Sequence, residues 1–345
     1  MINKLLPFAI TTCLYIILRL TIIKSSDLSA SYIFNIFPRI PGLFVAVTEY
    51  IKLLFLPLNL YFDHGEKLFP WTTPKAIIGM FLSIVLIFYA FEKRATNQLI
   101  SFSIFFFFVT LLPVSNLYPV AFYMAEHYLY IPSLGFFLII AQLLSSLYET
   151  KKLKIVTTTC VILLISFYSY LTIKQNTYWQ TPITFYKRII KFNPQSAKAH
   201  NNLGFEYESR GNRKEAFALY KKAINIDPLY TKAHNNIGVL YLYSGNINEA
   251  VLSFKKAIKI EPEYDSAYTN LANVYSSTGN TIEAMKLYKK AIELNSYNAE
   301  AYYNLAVLSF MRKRLTLAIE YCDKALKLGF EKAHPDFLKA LKKYR

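Results

Sequence analysis

Ala197–Tyr230 reads AKAHNNLGFEYESRGNRKEAFALYKKAINIDPLY, and the same pattern returns from Thr231, Asp265 and Ala299. A fixed period of 34 residues marks an array of repeats, each too small to bury its apolar face alone. Position 8 of the period is Gly204, Gly238, Ala272 and Ala306; position 20 is Ala216, Ala250, Ala284 and Ala318; position 27 is Ala223, Ala257, Ala291 and Ala325. Small residues at these places let paired helices approach closely. Position 24 holds Tyr220, Phe254, Tyr288 and Cys322, which fill the space between helices. Gly211, Gly245 and Gly279 stand where a helix–turn–helix unit needs a positive φ.

This pattern resembles the tetratricopeptide repeat at nearly every diagnostic position. The expected repeats are 197–230, 231–264, 265–298 and 299–332, preceded by a half-repeat junction over 175–196 and closed by a capping helix over 333–345. The fourth repeat departs from the pattern, with Ser309 for Tyr, Lys313 for Gly and Phe330 for Pro; terminal repeats of such arrays are commonly atypical. The resemblance implies that position 6, Asn202, Asn236, Asn270 and Asn304, lines a concave groove. There an amide can both donate to and accept from a peptide backbone. The arrangement is similar to the asparagine ladder of O-linked N-acetylglucosamine transferase, and Asn is also common at this place in the repeat. Neighbouring groove positions include Phe205, Val239, Tyr243, Asn273, Tyr303 and Val307.

Upstream of the repeats the composition changes. The chain as a whole is 54% hydrophobic with a mean hydropathy of +0.25, too apolar for a wholly soluble protein. Six stretches are expected to span a membrane: Leu5–Ile23, Leu43–Leu60, Ala76–Phe91, Leu99–Val114, Tyr130–Leu147 and Ile155–Thr172. The expected fold is therefore all-α, a polytopic transmembrane bundle over 1–174 followed by a repeat solenoid. Basic residues cluster after the first, third and fifth spans as Lys24 and Arg39, then Lys93 and Arg94, then Lys151, Lys152 and Lys154. The positive side faces the cytoplasm, which places the Ser115–Tyr128 loop and the whole repeat array on the extracytoplasmic side of a multi-pass membrane protein. The net charge of +17 is carried mostly on polar helix faces such as Lys221-Lys222 and Lys255-Lys256. No nucleic-acid-reading motif accompanies it.

Candidate chemistry lies on that outer face. Glu126 and His127 sit in YMAEHYLY at the entry of an apolar span, and Asp63 and His64 lie in the preceding outer loop. A protonated His127 would pair with a lipid phosphate while Glu126 orients its ring. For Asp63, as for Glu66, a solvated loop charge is an equally good reading. Metal-ligand spacing is absent, the three cysteines form no CxxC, and neither a metal nor a cofactor is implied. Within the spans, Glu49 and Lys52 are three apart on one helix face and are expected to neutralise each other.

The order of elements resembles the transmembrane-and-tetratricopeptide O-mannosyltransferases. The matching stretches are Tyr50–His64 (YIKLLFLPLNLYFDH), Leu111–Phe136 (LLPVSNLYPVAFYMAEHYLYIPSLGF) and the Trp179–Gly204 entry into the repeats. The resemblance implies a glycosyltransferase of the GT-C kind that uses a polyprenyl-phosphate sugar and holds its polypeptide acceptor with the repeats. In that family the first external loop supplies the acidic base, and many members have Arg where His127 stands. Here Asp27 stands alone in a loop expected to be cytoplasmic, so the match covers the C-terminal part of such an enzyme, and no catalytic residue is assigned. A truncated or inactive transferase follows, or alternatively a non-enzymatic membrane-anchored scaffold that binds partner polypeptides.

Overall fold

The computed structural model describes residues 37–58, 60, 68–114 and 124–344. The first expected span, Leu5–Ile23, lies outside the described residues. Among the described residues every regular element is a helix. They form two units, residues 1–194 and 195–345, each with its own core.

In the first unit, α1 (Ile40–Phe55) begins with Pro41 in its first turn and buries Ala46, Tyr50 and Leu54 at a spacing of four. It stops five residues short of the expected Leu60, because Leu56 precedes Pro57 and is driven out of the helical region. The next helices are α2 (Pro74–Lys93), α3 (Gln98–Leu111), α4 (Tyr130–Glu149), α5 (Lys154–Trp179) and α6 (Pro182–Phe192). Each packs on the one before it. Asn97 caps α3 by accepting from Ile100 N at 3.1 Å, and Thr181 caps α6 by accepting from Thr184 N at 3.2 Å. Glycines set the tightest crossings. A Cβ on Gly79 of α2 would overlap the Phe44 carbonyl oxygen of α1, and one on Gly135 of α4 would overlap that of Ser103 of α3.

Three stretches are long and apolar enough to cross a membrane: Pro74–Lys93, His127–Glu149 and Lys151–Trp179. Gln98–Val114 is apolar but shorter, and α1 has 16 residues. The apolar window of Lys151–Trp179 is only 6% buried within the protein, leaving Ile155, Ile162, Leu163 and Ile165 bare. That is little protein cover for so apolar a helix. Glu49 does not pair with Lys52. Its carboxylate meets Lys75 at the start of α2, because the close approach at Gly79 brings that end of α2 alongside α1. There Thr48 Oγ1 also donates to Lys75 O at 2.8 Å.

The second unit is built from four helix pairs: α7 (Ala197–Ser209) with α8 (Arg213–Ile226), α9 (Thr231–Tyr243) with α10 (Ile247–Ile260), α11 (Asp265–Ser277) with α12 (Thr281–Leu294), and α13 (Ala299–Met311) with α14 (Leu315–Lys327). Position 20 and 27 alanines are 0% exposed in every pair. A Cβ on Gly204 would lie 2.7 Å from the Tyr220 ring, so in the first pair the ring packs directly on the glycine backbone. The first helices of successive pairs touch one another, α7 to α9, α9 to α11 and α11 to α13. They therefore form the inner wall of the solenoid.

The turns at Gly211, Gly245 and Gly279 have φ of 81, 76 and 84°. Lys313 keeps the same left-handed turn at φ 61° without being glycine. Lys313→Gly is accordingly expected to stabilise the array by about 1 kcal/mol, read as a higher urea midpoint at unchanged slope.

A last helix, α15 (Pro335–Lys342), covers the fourth pair. Phe337 meets Tyr303 and Phe310 edge-on at 5.6 Å, Phe330 stacks on Tyr303 at 4.6 Å, and Leu341 is buried. Tyr303, expected at the groove surface, is thus only 8% exposed. Its hydroxyl accepts from His334 N at 2.8 Å.

Candidate functional site

Two places gather functional side chains, one in each unit. In the first unit the ends of α1, α4 and α5 enclose a cavity of about 610 Å³. His127 lies at its margin, exposed, with its ring 4.4 Å from Tyr128. Ser133, Thr172, Gln175, Asn176 and Trp179, with the hydroxyls of Tyr130 and Tyr168, are the other polar residues of the wall, and Leu53, Pro57 and Leu129 supply apolar surface. An apolar groove of about 910 Å³ between α4 and α5 shares Phe137, Tyr168 and Thr172 with this cavity. A polar mouth continuous with a long apolar trough suits an amphiphile.

Glu126 opens the 3₁₀ turn Glu126–Leu129 that precedes α4. Asp63 and His64 lie outside the described residues, as does the side chain of Glu126. The structure therefore brings His127 to a cavity without testing its three expected companions.

Two residues that sequence reasoning passed over hold this region. Tyr50, 1% exposed in α1, donates its hydroxyl to Ala125 O at 3.2 Å and accepts from Ala125 N at 3.1 Å. These two hydrogen bonds to one residue fix the backbone that enters the Glu126–Leu129 turn. Arg188 on α6 donates from Nε to Leu60 O at 2.6 Å and from a terminal nitrogen to Gln175 Oε1 at 3.2 Å, with its guanidinium 3.8 Å above the Tyr178 ring. Gln175 also reaches Leu60 O, at 3.4 Å. No local pattern announces either residue, since Tyr50 and Ala125 are 75 positions apart.

Tyr50→Phe leaves the buried Ala125 N–H without its partner, while Ala125 O keeps the Tyr128 N–H at 3.0 Å. It is expected to destabilise the first unit by about 1–3 kcal/mol, the cost of one orphaned buried group. Thermal unfolding of the detergent-solubilised chain measures this, and an unchanged midpoint would show that the clamp holds nothing.

In the second unit the position 6 asparagines bond to the preceding repeat. Asn236 Nδ2 donates to Asn201 Oδ1 at 3.0 Å, Asn270 Nδ2 to Asn235 Oδ1 at 2.9 Å, and Asn304 Nδ2 to Asn273 Oδ1 at 2.9 Å. Within repeats, Asn201 donates to Asn202 at 3.2 Å and Asn235 to Asn236 at 3.3 Å. An unbroken chain of amides thus runs from Asn270 through Asn235, Asn236 and Asn201 to Asn202. Each carboxamide has two N–H bonds and two lone pairs, so capacity remains at the half-buried members. Sequence alone showed the ladder but not that neighbouring repeats are stitched by it. The missing signal was the position 5 asparagines, Asn201 and Asn235, beside it.

Tyr220 and Tyr288 extend toward the same inner wall from the second helices of their pairs. Tyr220 donates to Glu208 Oε2 at 2.6 Å and Tyr288 to Asn273 Oδ1 at 2.5 Å. Burial above all pushes both phenols far above their ordinary range, with Glu208 and Glu300 respectively adding to it. Both remain donors at any physiological pH.

Comparison with known proteins agrees with this architecture. Family descriptions of the tetratricopeptide repeat match residues 197–230, 219–251, 240–279 and 269–336. Protein O-mannosyl-transferase TMTC3 of Mus musculus is 32% identical over 106 residues, covering 30% of this chain and 12% of the relative. Protein O-mannosyl-transferase F38B6.6 of Caenorhabditis elegans is 29% identical over 171 residues, covering 48% and 24%. The chain thus spans a quarter or less of the length of these relatives. Among solved structures, MamA is 26% identical with a TM-score of 0.37, covering 44% of this chain and 88% of that one. The chain carries tetratricopeptide repeats and is similar, over up to about half of its length, to part of the protein O-mannosyl-transferases.

Proposed function

We propose that this is a membrane-embedded protein of lipid-linked O-glycosylation, whose repeats hold an extended polypeptide and whose cavity takes the head group of a polyprenyl-phosphate sugar. One observation carries the reading. The curated relatives that the chain matches are protein O-mannosyl-transferases, among them the Caenorhabditis elegans protein over 48% of the chain. That share exceeds residues 197–345 and reaches at least into the half-repeat junction before them.

The geometry supports each half. His127, Ser133 and Asn176 offer a phosphate hydrogen-bonding groups, and the adjoining trough offers the isoprenoid an apolar bed. Electrostatic stabilisation of the leaving phosphate is the contribution such groups make to sugar transfer. The basic ends of the apolar helices, Lys93 and Arg94 with Lys151, Lys152 and Lys154, face the cytoplasm, so the cavity and the repeats face away from it. A reporter fused after Gly211 is expected to read as extracytoplasmic.

Transfer is tested with the full chain in lipid nanodiscs, supplied with radiolabelled mannosyl polyprenyl phosphate and a pool of Ser/Thr peptides. Lipid binding is measured separately. His127→Ala combined with Ser133→Ala is expected to weaken binding of polyprenyl phosphate about tenfold, the equivalent of about 1.4 kcal/mol. Peptide capture without lipid binding or transfer would replace this reading with that of a membrane-anchored scaffold.

For the array, Asn236→Ala combined with Asn270→Ala is expected to weaken peptide capture at least tenfold. It should also destabilise the repeats by about 1–2 kcal/mol, since Asn201 and Asn235 lose their donors. Capture unchanged in pull-downs would remove the ladder from the binding surface.

A further inference from the structure

The four repeats are close copies, so a departure at one place on the inner wall can be read against its siblings. Positions 9, 12 and 13 of the first helix are Phe205, Glu208 and Ser209 in the first repeat, Val239, Leu242 and Tyr243 in the second, and Val307, Phe310 and Met311 in the fourth. In the third they are Asn273, Ser276 and Ser277. Two small hydroxyl residues where the second repeat has Leu and Tyr leave a cavity of about 210 Å³ on the third repeat, walled by Asn273, Ser276, Ser277, Tyr288, Asn304 and Val307. That volume lies below the range of whole small-molecule sites and suits one side chain of a longer ligand.

The chemistry of the wall is neutral and its orientation is fixed. Asn273 Oδ1 accepts from both Tyr288, at 2.5 Å, and Asn304 Nδ2, at 2.9 Å. Its Nδ2 donates to Glu300 Oε1 at 3.0 Å, which leaves one N–H of Asn273 for a guest. Ser277 gives its proton to Val274 O at 2.9 Å and keeps its oxygen as an acceptor. Asn304 uses its nitrogen on Asn273 and keeps a carbonyl oxygen. The pocket therefore presents at least one donor and two acceptors, none of them charged, beside the apolar face of Val307.

We infer that this pocket between the third and fourth repeats selects a carboxamide or hydroxyl side chain, Asn, Gln, Ser or Thr, from a polypeptide lying along the inner wall. The inference rests on the polypeptide-binding reading of the array and adds a specificity to it. An apolar guest would strand the Asn273 N–H and the Asn304 carbonyl. A carboxylate guest would approach Glu300 at the rim. Because no other repeat carries two serines at positions 12 and 13, the pocket distinguishes one position of the bound chain from the others.

The test uses the full chain in nanodiscs, panned against a phage-displayed library of random 12-residue peptides. The unmodified protein is expected to enrich peptides that share Asn, Gln, Ser or Thr at one fixed position. A synthetic peptide from that set should lose at least tenfold in affinity when this residue is changed to Leu or Asp. Ser276→Leu combined with Ser277→Tyr installs the residues that the second repeat carries at the same places, so the fold is kept. Circular dichroism confirms it. In that variant the tenfold discrimination should fall below twofold, while affinity for the Leu-substituted peptide stays within about threefold of the unmodified protein's.

An apolar or charged consensus at that position overturns the proposal, as does a preference that survives in the variant. Enrichment without any positional preference overturns the pocket alone. Failure of the unmodified protein to enrich any peptide overturns the pocket together with the polypeptide-binding reading on which it rests.

Discussion

Phe254→Ala is expected to destabilise the repeat array by about 3–5 kcal/mol, the range for truncating a buried aromatic. Phe254 is 0% exposed and joins Ala250, Leu271 and Val274 in one core cluster. That cluster spans the second and third repeats, so the ring supports both a pair and the interface that follows it. Its edge lies against Gly238, where an added Cβ would stand 2.7 Å from the ring, and glycine has no side chain to move into the space. Stability in such an array is close to a sum of repeat and neighbour terms. Loss of one interface therefore also lowers cooperativity. Urea unfolding of the full chain followed by circular dichroism should show a lower midpoint and a broader transition. Cys322 occupies the equivalent place in the fourth repeat and is smaller, so Cys322→Ala should cost only about 1 kcal/mol. Equal losses from the two variants would refute the role given to the ring.

Gly79→Leu is expected to destabilise the first unit by at least about 3 kcal/mol, the upper part of the range for overpacking. The obstruction is backbone, the Phe44 carbonyl, with Thr48 Oγ1 2.7 Å from the same Cβ position. Neither can swing aside as a flexible side chain would. Separation of α1 from α2 would also break the Glu49–Lys75 ion pair and the Thr48 to Lys75 bond. In detergent the variant should melt lower or migrate as an aggregate on size-exclusion chromatography. Gly42 provides the control, because a Cβ there would find only Phe69 at 3.6 Å, an ordinary contact. Gly42→Ala should therefore leave the melt unchanged or raise it slightly. A Gly79→Leu protein that melts with the parent would refute the close crossing.

What could be read from the sequence divides along physical lines. The repeat turns and the close-packed alanines were legible because they depend on residues within one 34-residue period. The pairing of asparagines across repeats was not, because it joins positions 35 apart in sequence and depends on how one helix pair is rotated on the next. Glu49 was assigned to Lys52 on a local rule of helix spacing. Its true partner lies 26 residues away, and only the glycine crossing brings it near. The end of α1 was misplaced because hydropathy continues through Leu60 while Pro57 has already ended the helix. Lys313 broke the glycine pattern yet kept the turn, since neighbouring packing outweighs a local strain of about 1 kcal/mol. At the cavity, His127 was legible as a polar residue among aromatics. Tyr50 and Arg188 were not, because a lone tyrosine and a lone arginine carry no periodicity.

Arg188 and Gln175 both reach the single carbonyl of Leu60 at the cavity rim. Mechanically this is a latch, with α6 as its lever arm and the Tyr178 ring as the seat beneath the guanidinium. Rotation of α6 must either drag the rim along or break the Arg188 bond. A charge-assisted bond worth about 1.5–3 kcal/mol stands broken roughly 1–10% of the time at room temperature. Leu60 at the rim is tied to α5 through Gln175 and to α6 through Arg188, so side chains from two helices together set the position of the cavity mouth.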